Sequence, residues 1–567
     1  MKTNLLSRSA AIGAILCFVF TAELSYSQDK LINILDEEIQ REIKTLKLQE
    51  IPAYYLSYRV EENIGYSATS SFGSLTYSRD NRNSRLTVTI RVGTPQLDNF
   101  HPVRGGYSSM SGFYSTSAEL PSSDEPLAVK QVLWNATNEA YQQAVSNFAK
   151  VKANVAVKVQ EEDKSPDFTL EEAKNYFEPP IKPEDIKFDI STWENRIKKY
   201  SAVFLKDSAI FNGSGNCSYQ ICRKYFVSSD GDKIAQNSTN ARAGFSGVIK
   251  AKDGMEMPLY ESYFAFKPSD LPSDEMMTKD IIDLVNNLIA LKTAPVAEPY
   301  SGPALLTGRA AGVFFHEIFG HRIEGQRMKN EDDAQTFKKK VSEQVLPSAL
   351  SVYCDPQIKT YENMELNGSY IYDDQGSKGQ RVDVVKDGIL KDFLMSRTPI
   401  NNFSKSNGHG RAMAGMQPAA RQSNLIVETS QPKSNKELRA ELIKLAKEQD
   451  KPYGYLFDNV VGGFTTTGRF MPNAFNVTPT LVYKVYTDGR PDEIVRGVDL
   501  VGTPLAIFSQ IDQAGGKIET FNGYCGAESG SVSVACVAPM VVVKMIETQK
   551  KSKSQERPII LPRPDSK

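Results

Sequence analysis

Two of the four histidines in this chain, His316 and His321, stand five positions apart, with Glu317 directly after the first. Histidine is a ready ligand for a divalent metal, and a glutamate beside such a ligand can take a proton from water. The run can therefore build a hydrolytic metal centre. In the common H-E-x-x-H motif the histidines are one helical turn apart and face the same ion. Five steps on a regular helix rotate the second histidine by about 140°, too far for a shared ion. A one-residue π-bulge would shrink that angle, and Gly320, just before His321, is the residue best able to accept the altered backbone. A competing reading makes both histidines satisfied surface residues and Glu317 a solvated charge. The apolar run Val313-Phe314-Phe315 favours the metal. A helix entering a core would bury Glu317, and a buried charge is costly without a partner.

The element that must carry this run is a helix over residues 309–323, led by a short strand at 304–307 and a turn at Gly308. Beyond it the pattern is strands and Gly/Asp turns, with one clear helix at 434–449 capped by Ser434. Residues 482–486 and 494–498 form a hairpin through Asp488-Gly489, and runs at 532–537 and 540–546 close this half. Upstream, helical spacing covers 31–48, 127–155 and 280–291. Short strands are expected at 54–60, 65–71, 74–77 and 85–92, and again between 200 and 266. Prolines and small residues from Thr293 to Pro303 mark a boundary. The expected fold is α+β: a mixed N-terminal domain at 28–298 and a β-rich, mainly antiparallel C-terminal domain at 299–547 carrying the metal-site helix.

From Pro303-Ala304-Leu305-Leu306-Thr307-Gly308 into His316-Glu317-Ile318-Phe319-Gly320-His321-Arg322-Ile323-Glu324-Gly325, the chain resembles the TldD/PmbA family of zinc metallopeptidases. The acidic glycine turn at 369–376 with 388–391, the Asn407-Gly408 segment at 406–411, and Gly523-Tyr524-Cys525-Gly526 with 531–534 follow in the family's order. The resemblance covers about 303–546 and implies that His316, His321 and Cys525 ligate zinc, with water completing the site. Glu317 would deprotonate that water. All three ligands and the glutamate are present, so the chain resembles the catalytic TldD kind of subunit. The resemblance also implies a homodimer, or a heterodimer with a related subunit, enclosing the site and taking unfolded peptides as extended strands. Two rivals remain: a non-catalytic scaffold stapled by zinc, and hydrolysis of another amide, such as a modified or cell-wall peptide.

Composition fits that setting. Hydrophobic content of 40% with 24% charge excludes a disordered or collagen-like chain, and the net charge of −1 argues against a nucleic-acid partner. Residues 1–27 read as a signal peptide, with Lys2 and Arg8 before an apolar stretch too short for a stable membrane span. Export, most simply to a periplasm, departs from the cytoplasmic setting of the best-known family members. Cleavage there leaves Cys217, Cys222, Cys354, Cys525 and Cys536, an odd number. Cys217 could pair with Cys222. Cys525 has a disulfide with Cys536 as the alternative to metal, although Gly523 and Gly526 suggest a tight turn suited to a metal. Cys354 and Cys536 are then partners or buried thiols. His101 reads as an exposed loop residue, His409 as a turn or site-lining residue, and residues 548–567 as a mobile basic tail.

Overall fold

The computed structural model describes residues 29–103, 115–123, 125–157, 163–469 and 474–551. The expected signal peptide and the tail beyond residue 551 lie outside them. Among the described residues, no helix is long and apolar enough to cross a membrane.

The first sheet is built on two long hairpins. Strands β1 (Ala53–Ser71) and β2 (Ser74–Thr94) pair antiparallel, and β3 (Ile210–Ser228), β4 (Lys233–Lys250) and β5 (Glu256–Ala265) extend the sheet in the order β2-β1-β3-β4-β5. The sequence breaks β1 and β2 into shorter runs at polar stretches such as Glu61-Glu62-Asn63. The strands run straight through instead, because pairing continues on both sides, with Asn63 opposite both Asn83 and Cys222. Cross-strand partners supply what the local apolar pattern lacks.

Helices cover one face of this sheet. Alternate β1 residues point the same way. Leu56, Tyr58 and Val60 share a core with α1 (Lys30–Leu46) and α2 (Pro126–Val157). Farther along the same strand, Tyr66 and Ala68 pack with α3 (Ile190–Ala202) and α4 (Asp274–Thr293). Arg59, on the opposite face, donates to the carbonyls of Met413 and Met416, so that face meets the second half of the chain.

The second sheet contains β6 (Tyr300–Leu306), β7 (Leu350–Cys354), β8 (Asn424–Thr429), β9 (Tyr453–Thr465), β10 (Phe475–Tyr486), β11 (Val498–Gly502), β12 (Ile511–Ala527) and β13 (Gly530–Lys550). Its pairing is mainly antiparallel, as expected for this half. β13 pairs with β11, β11 with β10 and β10 with β9; β9 runs parallel to β6, which returns antiparallel to β13. These strands therefore close into a ring. β13 is one strand where the sequence suggests two, and a register shift in β12 between Gly515 and Glu519 absorbs Pro539 opposite. It also continues to Lys550, where the sequence suggests a tail from residue 548, because Thr548 pairs with both Tyr300 and Leu500.

Two helices serve this sheet. α5 (Gly308–Ile318) is buried against β13, β9 and β12. α6 (Asn435–Glu448) opens with the capping box expected at Ser434: the Ser434 hydroxyl accepts from the Glu437 amide, and the Glu437 carboxylate accepts from the Ser434 amide.

Candidate metal centre

α5 delivers His316 near its C-terminal end and then stops. The regular helix ends at Ile318, Phe319 leaves helical geometry at φ −123° and ψ −52°, and Gly320–Arg322 form a 3₁₀ turn. The structure thus replaces the expected helix to residue 323, and its π-bulge, with a helix end and a tighter turn. His321 is carried round by that turn, not by five regular steps. Gly320 matters here for space: a Cβ on it would overlap the Gln422 side-chain amide, so the turn packs directly on Gln422.

The third donor comes from β12. Cys525 lies inside the strand, opposite Val532, and not at the tight turn its flanking glycines suggest. Its Sγ is 3.1 Å from His316 Nε2 and 3.3 Å from His321 Nε2. The three candidate ligand atoms all lie within 4.8 Å of one another, and all three residues are buried. The other ring nitrogens face away and have partners of their own. His321 Nδ1 is 3.2 Å from Glu324 Oε2, and His316 Nδ1 is 3.6 Å from Cys536 Sγ. Those contacts set the ring orientation, leaving both Nε2 atoms for a shared ion.

Charge within the cluster outweighs burial. Burial would push the Cys525 thiol up, but His321 and His316 hold it well below the usual thiol range. Burial would likewise depress His321, yet Cys525 and Glu324 raise it to about 9. Glu324 is held at about 2, against burial, by His321 and Arg327. A thiolate beside two imidazoles is a donor set of the kind zinc accepts. The residues present therefore fit a metal ion.

Glu317 opens onto the same cavity, of about 330 Å³, as the three donors. Its Oε2 is buried and has no hydrogen-bond partner among the described residues. Gly463 of β9 lies directly against it: a Cβ there would sit 2.7 Å from Glu317 Cγ and 2.7 Å from the Asn476 carbonyl. The cavity is walled by β9 around Gly463 and by β12 around Cys525.

The other sequence candidates lie apart from this cluster. His409 is fully buried, with Nε2 3.1 Å from Ser423 Oγ and Nδ1 3.1 Å from Asn407 Oδ1, and does not line the cavity. His101 is no exposed loop residue: its ring is largely buried, 2.8 Å from Asp167 Oδ1. All five described cysteines are free. Cys217 and Cys222 lie five residues apart on one strand, about 16 Å. Cys536 sits opposite Phe521, four positions from Cys525, and Leu425 separates it from Cys354 across two strand spacings. Sequence reading did not assign Glu324, Cys536 or Gly463 to the metal site. Glu324 was findable, three residues after His321, whereas Cys536 and Gly463 reach the site only through strand pairing.

Residues 299–550 match the model of the PmbA/TldA metallopeptidase C-terminal domain. The match places this C-terminal region, residues 299–550, with the TldD/PmbA family. A protein named metalloprotease from Archaeoglobus fulgidus is 27% identical over 47% of this chain and 56% of its own length. A zinc metalloprotease TldD homolog from Saccharolobus solfataricus is 22% identical over 63% of this chain and 73% of its own length. The match thus spans about half of the first of these TldD/PmbA relatives. The solved structure of TldE from Thermococcus kodakarensis has the same fold, with a TM-score of 0.59 at 14% identity, covering 91% of this chain and all of that one.

Proposed function

We propose that this chain is a zinc metallopeptidase that hydrolyses unfolded, extended peptides, with Glu317 as general base. The observation that carries this is the unpartnered Glu317 Oε2, buried on the wall of the cavity onto which His316, His321 and Cys525 converge. A structural staple has no need of such a carboxylate. His316, His321 and Cys525 would hold the zinc, which would supply Lewis acidity and lower the pKa of a water at the site. Glu317 takes the proton of that water and passes it to the leaving amine. Gly463 keeps the Glu317 side chain on the cavity side of β9.

The cavity also bears on the substrate. A space of about 330 Å³ suits a stretch of chain, not a folded domain. Among the described residues, β9 from Gly462 to Thr465 pairs only with β10, which leaves its other edge for an extended peptide. Main-chain pairing there is indifferent to side chains, which favours unfolded peptides over one modified or cell-wall amide. The fold shared with TldE supports assembly as a homodimer or as a heterodimer with a related subunit. The basic and apolar residues at the start of the sequence support export, with the mature protein in the periplasm.

The test is E317Q with zinc content and peptide cleavage measured together. Zinc should stay at the wild-type level and cleavage should fall by about 10²- to 10⁴-fold. If both stay at wild type, Glu317 is not the base. A wild type that binds zinc and cleaves no peptide would favour the scaffold.

A further inference from the structure

The donors come from two regions far apart in sequence: His316 from the end of α5 and His321 from the turn after it, and Cys525 from near the end of β12. Something must hold β12 against the turn at the correct spacing. Among the described residues β12 pairs with β13 and bridges to Lys433 at Gly515, and that pairing does not by itself set where Cys525 stands relative to His321.

Arg421, between the short strand Ala419–Ala420 and β8, touches both segments. Its side chain is fully buried. One Nη donates to the Cys525 carbonyl at 2.5 Å, and the other to the Gly530 carbonyl at 2.8 Å and to Ser529 Oγ at 2.9 Å. The guanidinium thus grips β12 at Cys525 and again at the turn that follows it. On its other side Arg421 Nε stands 3.5 Å from Glu324 Oε1. Neither of these two atoms has a hydrogen-bond partner among the described residues, so that link is coulombic. Glu324 Oε2 in turn lies 3.2 Å from His321 Nδ1, and Arg327 anchors it through Nε at 2.9 Å and Nη2 at 2.7 Å. One continuous path runs from Cys525 through Arg421 and Glu324 to His321, beside the bonds that Arg327 and Gln326 donate to Glu528.

We propose that Arg421 is a positioning residue that ties the Cys525 strand to the His321 turn, so that the donors are set before an ion arrives. The proposal rests on the ligand set proposed above but not on peptide cleavage. Partners of metal ligands characteristically affect metal affinity, because orienting a ligand in advance removes an ordering cost from binding. Guanidinium suits the role, since its several donors reach separate acceptors from one rigid plane. A lysine ammonium at this position cannot serve the Cys525 carbonyl and the Glu324 carboxylate together.

The experiment compares R421M and R421K with R397M, a change at an equally buried arginine whose partners are Thr169, Tyr55, Gln375 and Asp230. Zinc affinity is measured by competition with a chromophoric chelator, and amide exchange at Cys525 is followed in the metal-free full chain. R421M should weaken zinc binding about ten- to a hundredfold and raise exchange at Cys525. R397M should lower thermal stability and leave zinc affinity within twofold. Wild-type zinc affinity in R421M, or an equal loss in R397M, would overturn the proposal. If R421M does not fold, R421K carries the test: a loss of about tenfold supports the role, and unchanged affinity refutes it. A chain that loses zinc affinity here while the wild type cleaves no peptide would count against the peptidase reading alone.

Discussion

His321 and His409 are both buried histidines in the second half of the chain, yet their affinities for protons move in opposite directions. His409 is pushed down to about 3 by burial and by the neighbouring Arg411. His321 is as deeply buried but faces the Cys525 sulfur and the Glu324 carboxylate, and is raised to about 9. Burial alone strips a side chain of charge, whereas burial among opposite charges concentrates it. His409 is thus a neutral, hydrogen-bonded anchor beside a cation, and the region around His321 is one that attracts a cation.

The contrast can be broken most directly at Cys525. C525A removes the anion shared by both histidines and should take zinc content to near background, while H409Q should leave it at the wild-type level. Metal analysis of the two purified variants decides this, and equal zinc in both would put the ion elsewhere. A smaller effect is expected from G463A, whose new Cβ crowds Glu317 Cγ. Displacing the base by a fraction of an ångström to an ångström should cost about 10²-fold in peptide turnover with zinc content unchanged. Turnover equal to wild type would mean that the position of Glu317 is not critical.

The smallest effect belongs to His409 and appears in stability. Its folded-state value of about 3 lies below the unfolded value of about 6.5. Below pH 6.5 the unfolded chain therefore takes up a proton that the native site refuses. Stability from this group is complete above about pH 6.5 and is lost as the pH falls towards 3. Between pH 6.5 and 5 the loss is about 2 kcal/mol. Urea melts at the two pH values should show that loss in the wild type and a flatter dependence in H409Q. Identical slopes would mean that His409 is already protonated in the native protein.

Much of the site was legible from residue types. His316, Glu317 and His321 share one short run, and Cys525 was reached through the family resemblance of its segment. The elements were legible where local pattern dominates, as at the start of α5 and in α6 with its Ser434 cap. The reading went astray where long-range pairing overrides local composition. The polar centre of β1 is strand because Asn83 and Cys222 lie on either side of Asn63. The helix stops at Ile318, and Gln422, a hundred residues away, packs on Gly320 in the turn that follows.

By itself, then, the sequence determined which donors exist and that a carboxylate stands beside one of them. Those are properties of residue identity and survive any folding. Only the tertiary structure decided that His321 reaches the site through a 3₁₀ turn, that no described cysteine forms a disulfide, and that Glu324 and Arg421 stand behind the donors. Such facts depend on strand register and on the approach of distant segments, which one chain's spacing does not encode. The five-residue spacing that argues against a shared ion on a regular helix is resolved by ending that helix.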